Sequence, residues 1–193
     1  MSKLETNTID NISGSSTLTI GDTNATSVTI DSGVSTLTIP NGAATGHMYP
    51  AFMVGLSANQ TGITPASYTK VTFDEEDVDT DNAFSSNKFT VPTGQAGKYF
   101  IHLDVQMNAE SGAGTATVGS ARIYKNGSVA INGGIIDFRN TNGQKFNANV
   151  SAIMDLSAGD YLEGYAELHT SSGDVTFVSS NRTTKFFGFR IGA

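Results

Sequence analysis

Apolar and polar residues alternate through most of the chain from residue 50 to residue 193, and a period of two predicts strands. Tyr99, Ile101, Leu103, Val105 and Met107 alternate with Phe100, His102, Asp104 and Gln106. Phe146, Ala148, Val150, Ala152 and Met154 repeat the pattern. Leu162, Gly164, Ala166 and Leu168 face away from Tyr161, Glu163, Tyr165 and Glu167 in a third strand, and Phe187, Phe189 and Ile191 predict a closing one. Turn signals separate these runs: Pro92-Thr93-Gly94, Lys125-Asn126-Gly127-Ser128, Ser157-Ala158-Gly159-Asp160 and Ser171-Ser172-Gly173-Asp174. Short strands joined by Gly and Asn turns, with no helical periodicity, predict an all-β sandwich, jelly roll or barrel.

Residues 1–49 have a different texture, rich in Ser, Thr, Asn and Gly, with no Phe and a single Tyr, Tyr49. They also contain an internal repeat. Ser16-Thr17-Leu18-Thr19-Ile20 is followed by Thr26-Ser27-Val28-Thr29-Ile30 and then by Ser35-Thr36-Leu37-Thr38-Ile39. Each copy reads as a short strand with two aliphatics on one face and threonines on the other. One such strand cannot bury its apolar face alone. Three chains wound together supply the missing partners, so the repeat predicts an intertwined trimeric β-prism stalk. Its inward residues are Leu18, Ile20, Val28, Ile30, Leu37 and Ile39. A flexible Ser/Thr-rich linker is the alternative reading of the same segment.

Composition narrows the function. Hydrophobic residues make up 38% and charged residues only 15% of the 193, which is the reverse of a disordered chain. The absence of cysteine excludes disulfides, thiolate zinc sites and cysteine nucleophiles together. A net charge of −7 leaves no electrostatic footprint for nucleic acid. No apolar run approaches the ~20 residues of a membrane-spanning helix. The first residues lack the apolar core of a signal peptide, so the expectation is synthesis without export and no membrane insertion.

The order of signals in residues 50–193 resembles the globular heads of complement C1q, the relatives of tumour necrosis factor. Pro50-Ala51-Phe52 with Leu56 resembles the opening strand of that family, and Lys70-Val71-Thr72-Phe73 its second. Phe84, Lys88-Phe89-Thr90-Val91-Pro92 and Gly97-Lys98-Tyr99-Phe100 match its aromatic core segment. Tyr124-Lys125-Asn126-Gly127 resembles its K-N-G hairpin, Leu156 to Leu162 its L-x-x-G-D turn, and Phe186-Phe187-Gly188-Phe189 its C-terminal F-x-G-F. The resemblance implies a ten-stranded jelly roll that assembles as a homotrimer. It also implies that Phe52, Phe89, Tyr99, Ile101, Leu103, Phe187 and Phe189 form the head's core and its trimer contacts. Two departures stand out: the segment between Pro92 and Tyr99 is longer than usual, and the repeat replaces a collagen stalk. The N-terminus, Leu4 to Gly14, is similar to the start of many structural proteins of marine phages.

Candidate chemistry is sparse. Asp74-Glu75-Glu76-Asp77-Val78-Asp79-Thr80-Asp81 carries six carboxylates, and Asp77, Asp79 and Asp81 mimic the first half of a calcium loop. The match fails at Asn82, where Gly is needed, and at Lys88, where the bidentate Glu belongs. The run therefore reads as a solvated acidic loop that binds calcium weakly if at all. His47, His102 and His169 show no metal-ligand spacing. No nucleophile elbow, phosphate loop or dinucleotide fingerprint occurs, so no enzyme and no cofactor are expected.

The expectation is a trimeric virion fibre: a docking segment over 1–15, a stalk over 16–49 and a jelly-roll head over 50–193. Its partners would be other virion proteins, through the N-terminus, and a host surface glycan or protein, through loops near 74–88, 108–120 and 139–145. A capsid decoration fibre without receptor binding and a free extracellular binding module are the alternatives. A depolymerase is a third, for which no residue pair speaks.

Overall fold

The computed structural model describes residues 50–109, 115–137 and 145–192. The predicted docking segment and stalk, with Leu18, Ile20, Val28, Ile30, Leu37 and Ile39, lie outside the described residues, as does most of the 139–145 loop.

The described chain is all-β. In chain order its strands are β1 (Ala51–Gly55), β2 (Gln60–Ile63), β3 (Thr69–Lys70), β4 (Glu75–Asp79), β5 (Phe84–Ser85), β6 (Lys88–Thr90) and β7 (Gly97–Ala109). Then follow β8 (Ala116–Lys125), β9 (Ser128–Asn132), β10 (Ile136–Asp137), β11 (Lys145–Leu156), β12 (Tyr161–Thr170), β13 (Val175–Phe177) and β14 (Lys185–Gly192). A single 3-10 turn, Ser180–Arg182, interrupts them. They form two antiparallel seven-stranded sheets. Sheet A runs β2-β13-β7-β14-β1-β4, with β11 also paired to β7. Sheet B runs β10-β8-β12-β6-β5, with β3 on β12 and β9 on β8.

The thirteen-residue β7 organises sheet A. Its alternation puts Tyr99, Ile101, Leu103, Val105 and Met107 inward, all fully buried, as the pleat requires. Along one side it pairs with β11 from Gly97↔Leu156 to Asn108↔Lys145, and along the other with β14 and β13. β12 does the same for sheet B, turning Leu162, Ala166 and Leu168 inward.

The sheets meet through aromatic rings. Phe52 of β1 stacks on Phe89 of β6 with centroids 4.4 Å apart, and meets Phe186 edge-on at 5.0 Å. Phe89 in turn lies 5.8 Å from Tyr99. Phe52, Phe89, Tyr99, Ile101 and Leu103 are therefore core residues. Phe187 and Phe189 are not, because the inward positions of β14 belong to Phe186 and Gly188. A Cβ at Gly188 would stand 2.5 Å from Ile101 Cδ1 and 2.7 Å from the Phe100 carbonyl oxygen. The close passage of β14 over β7 thus depends on a missing side chain.

Three further expectations give way. The described residues form fourteen strands where ten were expected, several of them only two or three residues long. The acidic run is not a loop: Glu75–Asp79 is an edge strand paired with β1. Charged side chains on such an edge discourage pairing with another chain. Of the predicted 108–120 loop, residues up to Ala109 extend β7, and β8 begins at Ala116.

Two of the sequence motifs converge on one carboxylate. Asn126 and Gly127 take positive φ, 53° and 78°, in the tight turn between β8 and β9. Asn126 Nδ2 donates to Asp160 Oδ1 (2.7 Å), while Asn126 Oδ1 accepts from the Tyr161 N–H (2.9 Å). Asp160 Oδ2 accepts from the Ser157 N–H (2.7 Å) and pairs with Lys125 Nζ (2.8 Å). Partial burial alone would raise the Asp160 pKa; hydrogen bonds from Lys125, Asn126 and Ser157, with the Lys125 charge, outweigh it and hold it at about 2.

Two predictions follow from this packing. Gly188→Ala should lower stability by about 1–3 kcal/mol, the usual cost of overpacking, measured by denaturant unfolding of the head. Asp160→Ala should cost about 1 kcal/mol at pH 7, after allowance for partial exposure. A depressed carboxylate contributes fully above its unfolded value near 3.8 and loses that contribution as pH falls through about 2. The gap between wild type and Asp160→Ala should therefore close between pH 4 and pH 2 in acid-unfolding curves.

Candidate interaction surfaces

Each sheet has one face in the core, so the outward faces and loop edges hold whatever the head uses for contact. On sheet A the outward residues form cross-strand rows set by register. Ala51, Phe189, Phe100 and Ile153 lie side by side across β1, β14, β7 and β11. The next row is Met53, Phe187, His102 and Ser151, and the next is Gly55, Lys185, Asp104 and Asn149. Gln106 donates to Asn147 Oδ1 (3.0 Å) in the row beyond. The face grades from apolar to polar along the strands.

At its apolar end Phe100 lies 5.6 Å from Phe189 and 6.2 Å from Phe187, centroid to centroid. Ile153 beside them is 67% exposed and Ile191 is 47% exposed. Phe187 and Phe189, expected in the core or in trimer contacts, therefore sit half-buried on an outward aromatic patch. At the centre His102 lies against the Phe187 ring (4.9 Å), with Nδ1 2.6 Å from Ser151 Oγ. Burial lowers the His102 pKa; the Asp104 charge works in the other direction and Lys185 assists the lowering. Burial raises the Asp104 pKa against the opposing influences of His102, Lys185 and Asn147. Asp104 Oδ1 is shielded from solvent and has no hydrogen-bond partner.

The outward face of sheet B is built differently. Tyr68, Tyr124, Tyr161 and Tyr165 share it with Lys70, Lys88, Arg122 and Glu163. Tyr124 stacks on Tyr165 at 4.0 Å, the Arg122 guanidinium covers the Tyr68 ring at 3.6 Å, and Lys88 Nζ lies 4.5 Å over Tyr161. Lys70 pairs with Glu163 at 2.7 Å. These contacts pair groups across strands, which stabilises the sheet as cross-strand pairs do, although Arg122 Nε is shielded from solvent without a hydrogen-bond partner. His169 belongs to this side, 3.4 Å from Glu167.

The calcium candidates are not brought together. Asp77 meets Arg182 Nη2 (2.8 Å), which also holds Glu75 (2.8 Å). Asp79 accepts from the backbone N–H groups of Ala83 (2.8 Å) and Phe84 (2.9 Å), tying the edge strand to β5. Asp81 is exposed beyond the strand end. Among the described residues no three His, Asp or Glu side chains converge to hold a metal ion.

Sequence reasoning placed His102 in a strand with Asp104 on the same face, but missed Ser151, Lys185 and Phe187 as its neighbours, and missed the Arg182 clamp. Alternation reveals which residues share a face of one strand. It does not reveal which strand lies beside it, and Arg182 and Glu75 are 107 positions apart.

No protein-family description and no curated protein matches this chain. Solved structures do. A crystal structure of murine APRIL at pH 5.0 aligns with 75% of this chain and 99% of its own, at TM-score 0.54 and 9% identity. The structure of Eiger TNF from S. frugiperda aligns with 74% of this chain and 93% of its own, at TM-score 0.54 and 10% identity. The globular domain of zebrafish complement 1qA covers 74% of this chain and 97% of its own, at TM-score 0.46 and 18% identity. The APRIL and Eiger TNF alignments show the fold alone: a TNF-like jelly roll.

Proposed function

We propose that this chain is a homotrimeric fibre protein of a phage virion, acting by binding rather than by catalysis. In this reading residues 1–15 dock onto the particle, 16–49 form the stalk, and 50–193 form the head. The head contacts the host surface or a neighbouring virion protein. The observation that carries the assembly is the outward face of sheet A. Sheet B covers only one side of β7 and β14, and Phe100, Phe187, Phe189 and Ile153 remain on the other. A contiguous, partly exposed apolar patch of this kind marks a protein contact. A second and third copy of the chain offer the same patch, and closed symmetry lets each copy cover the next. The C1q/TNF-like resemblance of the sequence implies the same trimer.

The virion role is supported by the phage-like start, Leu4 to Gly14, and by the repeat that follows it. Three heads on one stalk raise the effective concentration for the second and third contacts, so individually weak contacts suffice. The acidic edge strand takes divalent cations weakly in this reading, because Arg182 and the Ala83 and Phe84 amides already occupy its carboxylates.

Light scattering should give about 61 kDa, three copies of the 20.2 kDa chain. Phe187→Asp should shift the isolated head toward monomer, since each aromatic returned to water forfeits about 1.5–3 kcal/mol and symmetry repeats the loss in every copy. A wild-type chain that remains monomeric at micromolar concentration would sink the assembly. Deleting residues 1–15 should abolish incorporation into particles while leaving a soluble trimer; normal incorporation of that truncation would defeat the docking role. Purified heads that neither adsorb to host cells nor compete with infection would leave decoration of the particle as the role.

A further inference from the structure

The outward face of sheet A has a titratable side chain at its centre. His102 separates the aromatic end, Phe100 and Phe189, from the polar end, Asp104, Lys185 and Asn149. From β14 the Phe187 ring covers it, and from β11 Ser151 Oγ lies 2.6 Å from its Nδ1. Met53 of β1 lies beyond Phe187 in the same row. Among the described residues the charged groups acting on it are Asp104, two residues on along β7, and Lys185 of β14. Their signs oppose, so neither neutralises an imidazolium cleanly. Asp104 is also a weakened counter-ion, because burial already disfavours its charge.

A neighbouring copy seated on Phe100, Phe187 and Phe189 removes further water from the imidazole. A charged group loses more from that than a neutral one. A neutral ring can share one proton with the Ser151 hydroxyl in either direction, whereas an imidazolium can only donate.

We propose that assembly through this face is proton-linked: the trimer forms with His102 uncharged and loosens on mild acidification. The proposal rests on the trimer described above and adds its regulation.

The sign follows from linkage. Burial within one chain already holds His102 below the ordinary histidine value near 6.5, and assembly buries it further, so the dissociated chain binds more protons than the assembled one only below that value. Association is therefore at full strength at and above pH 6.5 and weakens only as pH falls through the lowered value of the dissociated chain. The limit is about tenfold per chain for each pH unit. Asp104 acts oppositely at lower pH, because burial favours its protonated form. The loosening is thus confined to the range above that in which the carboxylate takes up its proton. His169 lies on the other sheet beside Glu167, and His47 lies outside the described residues.

Sedimentation of the full chain at pH 8, 7, 6 and 5.5 tests this, with circular dichroism confirming that the strands persist. Wild type should remain trimeric at pH 8 and 7 and pass toward smaller species only below pH 6.5. His102→Gln, which keeps a hydrogen-bonding group beside Ser151 and does not titrate, should sediment alike at every pH. A wild-type trimer equally tight at pH 5.5 overturns the proton linkage and leaves the assembly standing. The same loosening in His102→Gln assigns the proton elsewhere and overturns the role of His102. A monomer at every pH overturns the assembly itself. Should His102→Gln fail to fold, the imidazole of wild type is titrated by NMR at a concentration where the chain is assembled and at one where dilution has dissociated it. A value no lower in the assembled chain overturns the proposal.

Discussion

The pleat of β7 imposes the constraint on which the head depends. A strand that alternates must send half its side chains to each face, and one opposing sheet covers only one of them. Tyr99, Ile101, Leu103, Val105 and Met107 are fully buried beneath sheet B. Phe100 and His102, one position out of step, are left on the far side with Phe187 and Phe189 of β14. An aromatic row on both faces of one strand pair cannot be satisfied within a single sandwich. The core and the outward patch are thus two consequences of one geometry, and a change of register by one residue would exchange them.

The second dependency is local. Asp160 links the β8–β9 turn to the turn before β12 by accepting from Asn126 and the Ser157 backbone while facing Lys125. It ties the two turns together at one end of the β8–β12 pair, beside the backbone bond from the Asn126 N–H to the Tyr161 carbonyl. Arg182 has a similar place on sheet A, where one guanidinium nitrogen holds both Glu75 and Asp77 of the edge strand. Both are charge-assisted contacts. They differ in consequence, because Asp160 is supported by three donors and the Arg182 pairs are more open to solvent.

The two outward faces suit different purposes. Sheet B presents tyrosines whose rings and cations are matched to one another, as in Tyr124 on Tyr165 and Arg122 on Tyr68. Sheet A presents Phe100, Phe189 and the 67%-exposed Ile153, whose side chains have no polar atoms to give water. Each face also holds one shielded polar atom without a partner, Arg122 Nε on sheet B and Asp104 Oδ1 on sheet A, so the difference lies in the apolar groups. The asymmetry separates a surface that can face solvent from one that gains by being covered.

Much of this was legible in the sequence, because alternation and turn chemistry are local. The strands around Tyr99–Met107, Phe146–Met154 and Leu162–Leu168, the Asn126-Gly127 turn and the Gly159-Asp160 turn follow from residues within a few positions of one another. What the sequence could not decide was pairing. The acidic run looked like a loop because charge predicts exposure, yet an edge strand is exposed as well, and only its register against β1 distinguishes the two. Phe186, Phe187 and Phe189 are chemically alike; which of them enters the core is set by the Phe52↔Gly188 register and the close passage of Gly188 over Ile101. The partners of His102 come from strands about fifty and eighty residues further along. Composition and period determined the all-β class and the positions of its turns. Contacts between residues distant in the chain, which no local pattern encodes, decided which aromatics became core and which became surface.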